Sequence, residues 1–285
     1  MSKLIDLHIH STSSDGIFKP AELLKIASEA GLSAIALADH DSVDGVDEAI
    51  AAAAEFNITV IPAVELSVEY GNYHDVHILG YFIDHKDPEF VSMLDRFCQS
   101  RESRGLRVIE KINLKLADQG REPVAVAEVM ALAEGALGRP HIARILIEKG
   151  YCSDMQDAFN QYLLPCNVPK EYLPFDEAIR EIVRIGGVPV LAHPQSITRS
   201  REELTKIICD MNRRGLGGIE AFNTMGIEGE DGFLRSLANT LGLAVTGGSD
   251  FHGTEEGQFM GKGRGNLYIT DELIDPLDKK RPPKG

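Results

Sequence analysis

Cysteine is scarce in this chain, and its few copies are scattered. Cys98, Cys152, Cys166 and Cys209 form no CxxC pair. Such spacing excludes a disulfide framework and a zinc ribbon, so the thiols read as reduced and mostly buried. Long apolar runs are missing too. The first candidate, Leu4 to Ile9, is broken by Asp6 and His8, and no stretch reaches the roughly 18 apolar residues of a membrane span. The expectation is a cytoplasmic chain with no leader and no membrane contact. Positive charge is in deficit: 29 Lys and Arg stand against 44 Asp and Glu, a formal net charge of −15. That balance argues against long nucleic acid as a partner. A short anionic ligand stays open, because bound cations and a few Arg can reverse the sign of one cleft. Repeats and low-complexity segments are absent as well.

What is present is an alternation. Strand-like runs at Leu4–His10, Ala34–Asp39, Thr59–Glu65, Val76–Phe82, Val188–His193, Gly218–Phe222 and Ala244–Gly248 are separated by amphipathic helical patterns. Those patterns include Pro20–Ala30, Val46–Phe56, Phe175–Ile185, Arg201–Arg214 and Gly232–Leu241. Alternation of this kind predicts a mainly parallel sheet, and seven strands predict a barrel with its site at the strands' carboxyl ends. From about residue 87 to 173 the rhythm changes to helix after helix: Pro88–Gln119, Val124–Glu134, His141–Lys149 and Asp154–Leu163. The expected organisation is a discontinuous barrel domain over 1–86 and 174–274, an inserted helical subdomain over 87–173, and a frayed, proline-rich tail over 275–285.

Polar residues sit where these strands end. On the first strand, His8 and His10 lie two apart and share one face. Asp15 follows in a Ser-Asp-Gly turn, and Asp39-His40-Asp41 closes the second strand. Glu65 ends an apolar run, where a carboxylate is costly unless paired or bound to metal. His77, the Ala192-His193-Pro194 segment and the Gly248–His252 segment complete the series, with Asp250 and His252 again two apart. Any one of these histidines alone reads as a hydrogen-bonding side chain, and Asp15 and Asp41 alone as turn residues. Together, six of the nine histidines with Asp15, Glu65 and Asp250 fall at successive strand ends, which core packing does not explain. Imidazole and carboxylate ligands without thiolate suit Mn²⁺, Fe²⁺ or Zn²⁺. Nine candidate ligands exceed one ion's needs, so two or three ions are expected; such sites activate water and clamp phosphoryl oxygens.

In this order the segments resemble the PHP (polymerase and histidinol phosphatase) superfamily of metal-dependent phosphoesterases. The resemblance runs from residue 6 to 252 and implies a distorted (β/α)7 barrel. It also implies three metal positions: His8, His10, Glu65 and Asp250; Glu65, His77 and His193; and Asp15, His40 and His252. Length and insertion resemble the branch containing the bacterial 3′,5′-nucleoside bisphosphate phosphatase. The resemblance therefore implies phosphomonoester hydrolysis of a small nucleotide, with adenosine 3′,5′-bisphosphate (pAp) as the best match. His193 or Asp250 would protonate the leaving oxygen. Within the insertion, Gly138-Arg139-Pro140-His141-Ile142-Ala143-Arg144 matches a phosphate-contacting segment, which assigns Arg139, His141 and Arg144 to phosphate binding. His141 and Arg144 lie three apart on one helix face, and Arg139 lies at the positive end of the helix dipole.

The chain departs from the resembling branch at Leu164–Lys170, where a basic and aromatic base-side segment is expected; Lys170 or Tyr172 stands in. The Gly261–Gly265 loop is a further phosphate contact or a mobile surface loop. Rival readings are 5′→3′ trimming of short RNA, histidinol phosphate hydrolysis, C–N hydrolysis of the amidohydrolase type and a metal-binding module without turnover. The amidohydrolase type expects a Lys where Glu65 stands, and inactive relatives lose ligands that are all present here.

Overall fold

The computed structural model describes residues 2–132, 137–169, 171–225 and 230–283. Among the positions singled out in the sequence, Glu134, Lys170 and Gly285 lie outside this set. β1 (Leu4–Ile9), β2 (Leu32–Leu37) and β3 (Thr59–Tyr70) are parallel neighbours, connected by α1 (Pro20–Glu29) and α2 (Val46–Phe56). Pro20 suits the first turn of α1, where its missing N–H is no loss. α2 ends at Asn57 in the left-handed conformation, φ 54°.

The parallel order then breaks. β3 continues past Glu65 to Tyr70 and returns as antiparallel β4 (Tyr73–Tyr81). Glu65 therefore lies in the middle of a strand, not at its end as its apolar approach suggested. The reason is the hairpin: Ser67 and Val68 pair with His77 and Val76, so the ladder runs on beyond the carboxylate.

The long α3 (Pro88–Asp118) follows, capped by Asp87 Oδ1 accepting the Phe90 N–H at 2.8 Å. Next come α4 (Val126–Leu132), α5 (Arg139–Glu148) and the short α6 (Met155–Ala158), which passes into a π-turn over Phe159–Leu163. These helices have their own apolar cluster, including Ile112, Leu116, Val129, Ile142, Leu146 and Tyr162. The first turns of α3 belong elsewhere, because Phe90, Met93 and Leu94 pack into the barrel cluster. One helix thus spans both bodies.

A two-residue β5 (Leu173–Pro174) pairs with β3 and leads into α7 (Phe175–Arg184) and β6 (Val188–Leu191). β6 is antiparallel to β4. Parallel order resumes through α8 (Arg201–Arg213), β7 (Gly218–Phe222), α9 (Glu230–Leu241) and β8 (Ala244–Gly247). Residues just past β8 close the ring onto β1. The Asp250 N–H donates to His8 O at 2.9 Å, and the His10 N–H donates to Phe251 O at 3.0 Å. The fold is a distorted (β/α)7 barrel, with β4 as the reversed strand.

The segment from Asp275, expected to be frayed, instead opens as α10 (Ile274–Asp278). Leu277 is fully buried, and Arg281 lies 5.4 Å over the Phe82 ring. A single apolar anchor outweighs the charged composition around it. No described helix is long and apolar enough to cross a membrane.

Candidate active site

Two buried aspartates build the frame at the mouth of the barrel. Asp39 accepts the Ser11 N–H at 2.7 Å and the Ser11 and Ser14 hydroxyls at 2.7 and 2.6 Å, which holds the turn carrying Asp15. Asp6 accepts the Ser249 N–H at 2.9 Å and the Gly261 N–H at 2.6 Å, which ties the loop after β8 to β1. Burial pushes the Asp6 carboxyl up to about 6 and raises Asp39 too, against the hydrogen bonds each accepts. The Gly261–Gly265 loop is thus an anchor for Asp6, and its Arg264 pairs with Glu255 at 2.6 Å. Gly248 is a close approach that only glycine allows: a Cβ there would lie 2.2 Å from His8 Cβ.

Glu65 is the centre of the site. Its Oε2 lies 3.3 Å from His8 Nε2, 3.3 Å from His10 Nε2 and 3.0 Å from His40 Nδ1. Its Oε1 lies 3.0 Å from both His77 Nδ1 and His193 Nε2. Burial alone would raise the carboxyl; the imidazoles of His40, His77 and His8, with the His193 hydrogen bond, outweigh it and hold Glu65 well below its ordinary value. Asp250 Oδ1 stands 3.1 Å from His10 Nε2, and His252 Nε2 stands 3.2 Å from Asp15 Oδ1. Although burial opposes it, Asp15 pushes His252 up to about 10. His10 goes the other way, to about 3, driven by burial and then by the neighbouring His252. Asp41, His193 and Asp250 carry φ values of 49°, 25° and 53°, so backbone strain is concentrated here.

All nine residues singled out in the sequence come together. The ligand atoms of eight of them fall into three groups, each within 4.8 Å: His8, His10, Glu65 and Asp250; His40, Glu65 and His77; His10, Asp15, His40 and His252. The second group differs from the expected set by holding His40, while His193 stands beside it, 3.3 Å from His77 Nδ1. In the third group His10 joins the expected members. His8 Nε2, both ring nitrogens of His10, Asp15 Oδ1 and Glu65 Oε2 are buried without a well-formed hydrogen bond. Buried polar atoms ordinarily find partners. Imidazole nitrogens and carboxylate oxygens converging in this way are what divalent cations require, and this set fits them.

Glu220 was not singled out in the sequence. Fully buried on β7, it takes His8 Nδ1 at 2.9 Å and accepts the His193 N–H at 2.8 Å. The signal was available, since a carboxylate interrupts the apolar strand Gly218–Phe222.

Beside the cluster lies a cavity of about 310 Å³. Asp15, His40 and His77 contribute to its lining, as do Asp75, Arg104, Arg139 and Phe159. Arg139 reaches it from the start of α5, its guanidinium 5.6 Å over the Phe159 ring and 4.0 Å from Asp75. Arg104, also not singled out earlier, is held by Val168 O and Asn167 Oδ1, both at 2.7 Å. His141 and Arg144 are not among the lining residues. His141 is buried, and its Nδ1 accepts the Gly138 N–H at 3.1 Å, shaping the turn that presents Arg139. Tyr172 does not itself line the cavity; it stacks on His74 with ring centres 5.5 Å apart and hydrogen-bonds Asp75, which does line it.

A (β/α)7 barrel with several imidazole–carboxylate cation sites at one mouth, and guanidinium groups facing them, defines a metal-dependent hydrolase of anionic substrates. Comparison narrows the class. The PHP domain model matches residues 6–163, just over half of the chain. A 5′-3′ exoribonuclease of Haemophilus influenzae is 32% identical over 98% of this chain and 100% of its own. A 3′,5′-nucleoside bisphosphate phosphatase of Chromobacterium violaceum is 33% identical over 89% of this chain and 88% of its own. A solved Bifidobacterium adolescentis protein, described as a metal-dependent phosphoesterase, superposes with a TM-score of 0.84 at 27% identity, covering 97% of this chain and 96% of that one. The chain belongs to the PHP family, and it is a metal-dependent phosphoesterase.

Proposed function

We propose that the chain hydrolyses a phosphomonoester of a small nucleotide, with pAp giving AMP and phosphate as the leading reaction. The observation that carries this reading is the cleft. Candidate cation ligands Asp15, His40 and His77 line it together with Arg139 and Arg104, around about 310 Å³. That volume lies in the range of small-molecule sites and suits one nucleotide better than a polymer. A substrate anionic at two points meets cations at one and guanidinium at the other. The bisphosphate phosphatase relative supports the assignment.

Divalent cations held by the nine residues, Mn²⁺ first and Fe²⁺ or Zn²⁺ as alternatives, would supply Lewis acidity and an activated water near neutral pH. The protein's own groups do the rest. Glu65 keeps five imidazoles oriented toward one point. Arg139 can hold phosphate oxygens bidentately and so set which phosphate reaches the cluster. Phe159, under the Arg139 guanidinium, offers an apolar face. His193 or Asp250 would deliver a proton to the leaving oxygen.

Arg139→Ala is expected to raise KM by about 10–100-fold, the cost of charge-assisted hydrogen bonds worth roughly 1.5–3 kcal/mol, while kcat changes less. Steady-state kinetics on pAp measures this, and an unchanged KM would take Arg139 out of the binding site. A second reading is 5′→3′ trimming of short RNA, favoured by the relative that aligns end to end. Incubating the Mn²⁺-loaded protein with pAp and following phosphate and nucleotide product separates the two. AMP and phosphate support the phosphatase. Inert pAp with shortening of a 5′-phosphorylated oligoribonucleotide would replace it with the exonuclease.

A further inference from the structure

Two buried carboxylates meet the same pair of histidines. His8 and His193 stack with ring centres 5.8 Å apart and 18° between their planes. Glu65 meets the Nε2 atoms of both, at 3.3 and 3.0 Å. Glu220 meets their other parts: His8 Nδ1 at 2.9 Å and the His193 main-chain N–H at 2.8 Å. Among the described residues, Glu220 makes no hydrogen bond or ion pair with Asp15, His40 or His252.

We propose that Glu220 is a positioning residue that aims His8 and His193 together, so that the two cation positions sharing Glu65 fill as a pair. The inference rests on the cation-binding reading above. A neutral imidazole carries one N–H, and its neighbours decide which nitrogen holds it. A carboxylate only accepts, so Glu220 keeps the proton on His8 Nδ1 and leaves the Nε2 lone pair facing Glu65 and Asp250. The second oxygen of Glu220 has a different task. His193 sits at φ 25° and ψ 64°, outside the favoured regions, and its N–H is held by Glu220 in that turn. The ring is then fixed from its other nitrogen by Ser196 Oγ at 3.1 Å, which leaves Nε2 toward Glu65. One carboxylate therefore links the tautomer of one candidate ligand to the backbone of another, 185 positions further along the chain.

Glu220→Gln tests this with little change of shape. Its amide either donates toward His8 Nδ1, reversing the tautomer, or turns and loses the His193 N–H. Zn²⁺ is titrated into metal-stripped protein against a chromophoric chelator, with bound ions counted by elemental analysis. In Glu220→Gln the two ions sharing Glu65 are expected to weaken together by about 10–100-fold, the usual effect of losing an outer partner of a ligand. The ion at His10, Asp15, His40 and His252, which shares His10 and His40 with the other two but has no ligand touching Glu220, weakens least and serves as the internal reference. Glu220→Asp, too short to reach both partners, should weaken the same pair and supplies the test if the amide variant folds poorly. Wild-type affinity for every ion in both variants would overturn the proposal. So would equal weakening of all ions together with a lower Tm of the metal-free protein, which marks a general structural role. A wild-type protein that retains no zinc would sink the cation reading itself, independently of Glu220.

Discussion

Glu65→Gln is expected to cut phosphoester turnover more than ~100-fold while leaving the fold intact. The bound comes from comparison: losing an outer partner of a metal ligand costs about 10–100-fold, and Glu65 is central rather than outer. Glutamine matches its shape but replaces one oxygen by a donor. That donor would face either His8, His10 and His40 or His77 and His193, whose nearest nitrogens now lie 3.0–3.3 Å from the carboxylate. It would also remove the one fully buried negative charge that all five rings share. The measurement is kcat with saturating Mn²⁺, beside circular dichroism and the count of bound ions. Turnover within about tenfold of wild type would show that Glu65 does not organise the centre.

Gly248→Ala is expected to destabilise the protein by about 3 kcal/mol or more, the upper end of overpacking costs. The added Cβ would lie 2.2 Å from His8 Cβ, 2.5 Å from His8 N and 2.8 Å from His8 Cα. Two of those atoms are backbone and cannot swing away. Nor can the strand ends part freely, because the Gly248 N–H donates to Phe222 O and the Asp250 N–H to His8 O, both at 2.9 Å. For a chain of this size each kcal/mol lowers Tm by about 2–4 °C, so a fall of roughly 6–12 °C is expected by calorimetry. A fall below about 2 °C would show that β1 and the segment after β8 separate easily. Weaker cation binding should accompany the thermal effect, since the clash falls on His8.

Residue spacing made the barrel legible because strand and helix periods are local properties. The Leu4–Ile9 strand, the Pro20 start of α1 and the run of helices after Asp87 all follow from hydrophobic patterning and capping. The β3–β4 hairpin was less legible. The polar step at Glu65 looks like a strand end, and only pairing with β4 shows that the ladder continues to Tyr70. Leu277 was hard to find in the sequence for a related reason: a charged stretch hides one apolar residue whose burial depends on a distant surface.

The candidate ligands were read from their chemistry and their recurrence at strand ends, which needs no coordinates. Which atoms meet is a different matter. His8 and Asp250 are neighbours because β1 and the segment after β8 close a ring, and Arg104 faces the cleft because α3 carries it there from the barrel. By itself the sequence determined the α/β alternation, the inventory of imidazoles and carboxylates, and the shortage of positive charge. Tertiary structure alone decided that Glu65 would be the common point, that His40 would stand with His77, and that Glu220 would hold the ring of His8 and the backbone of His193. The physical reason is that side-chain type and period are properties of neighbouring residues, whereas convergence depends on strand register and ring closure between separate elements of the chain.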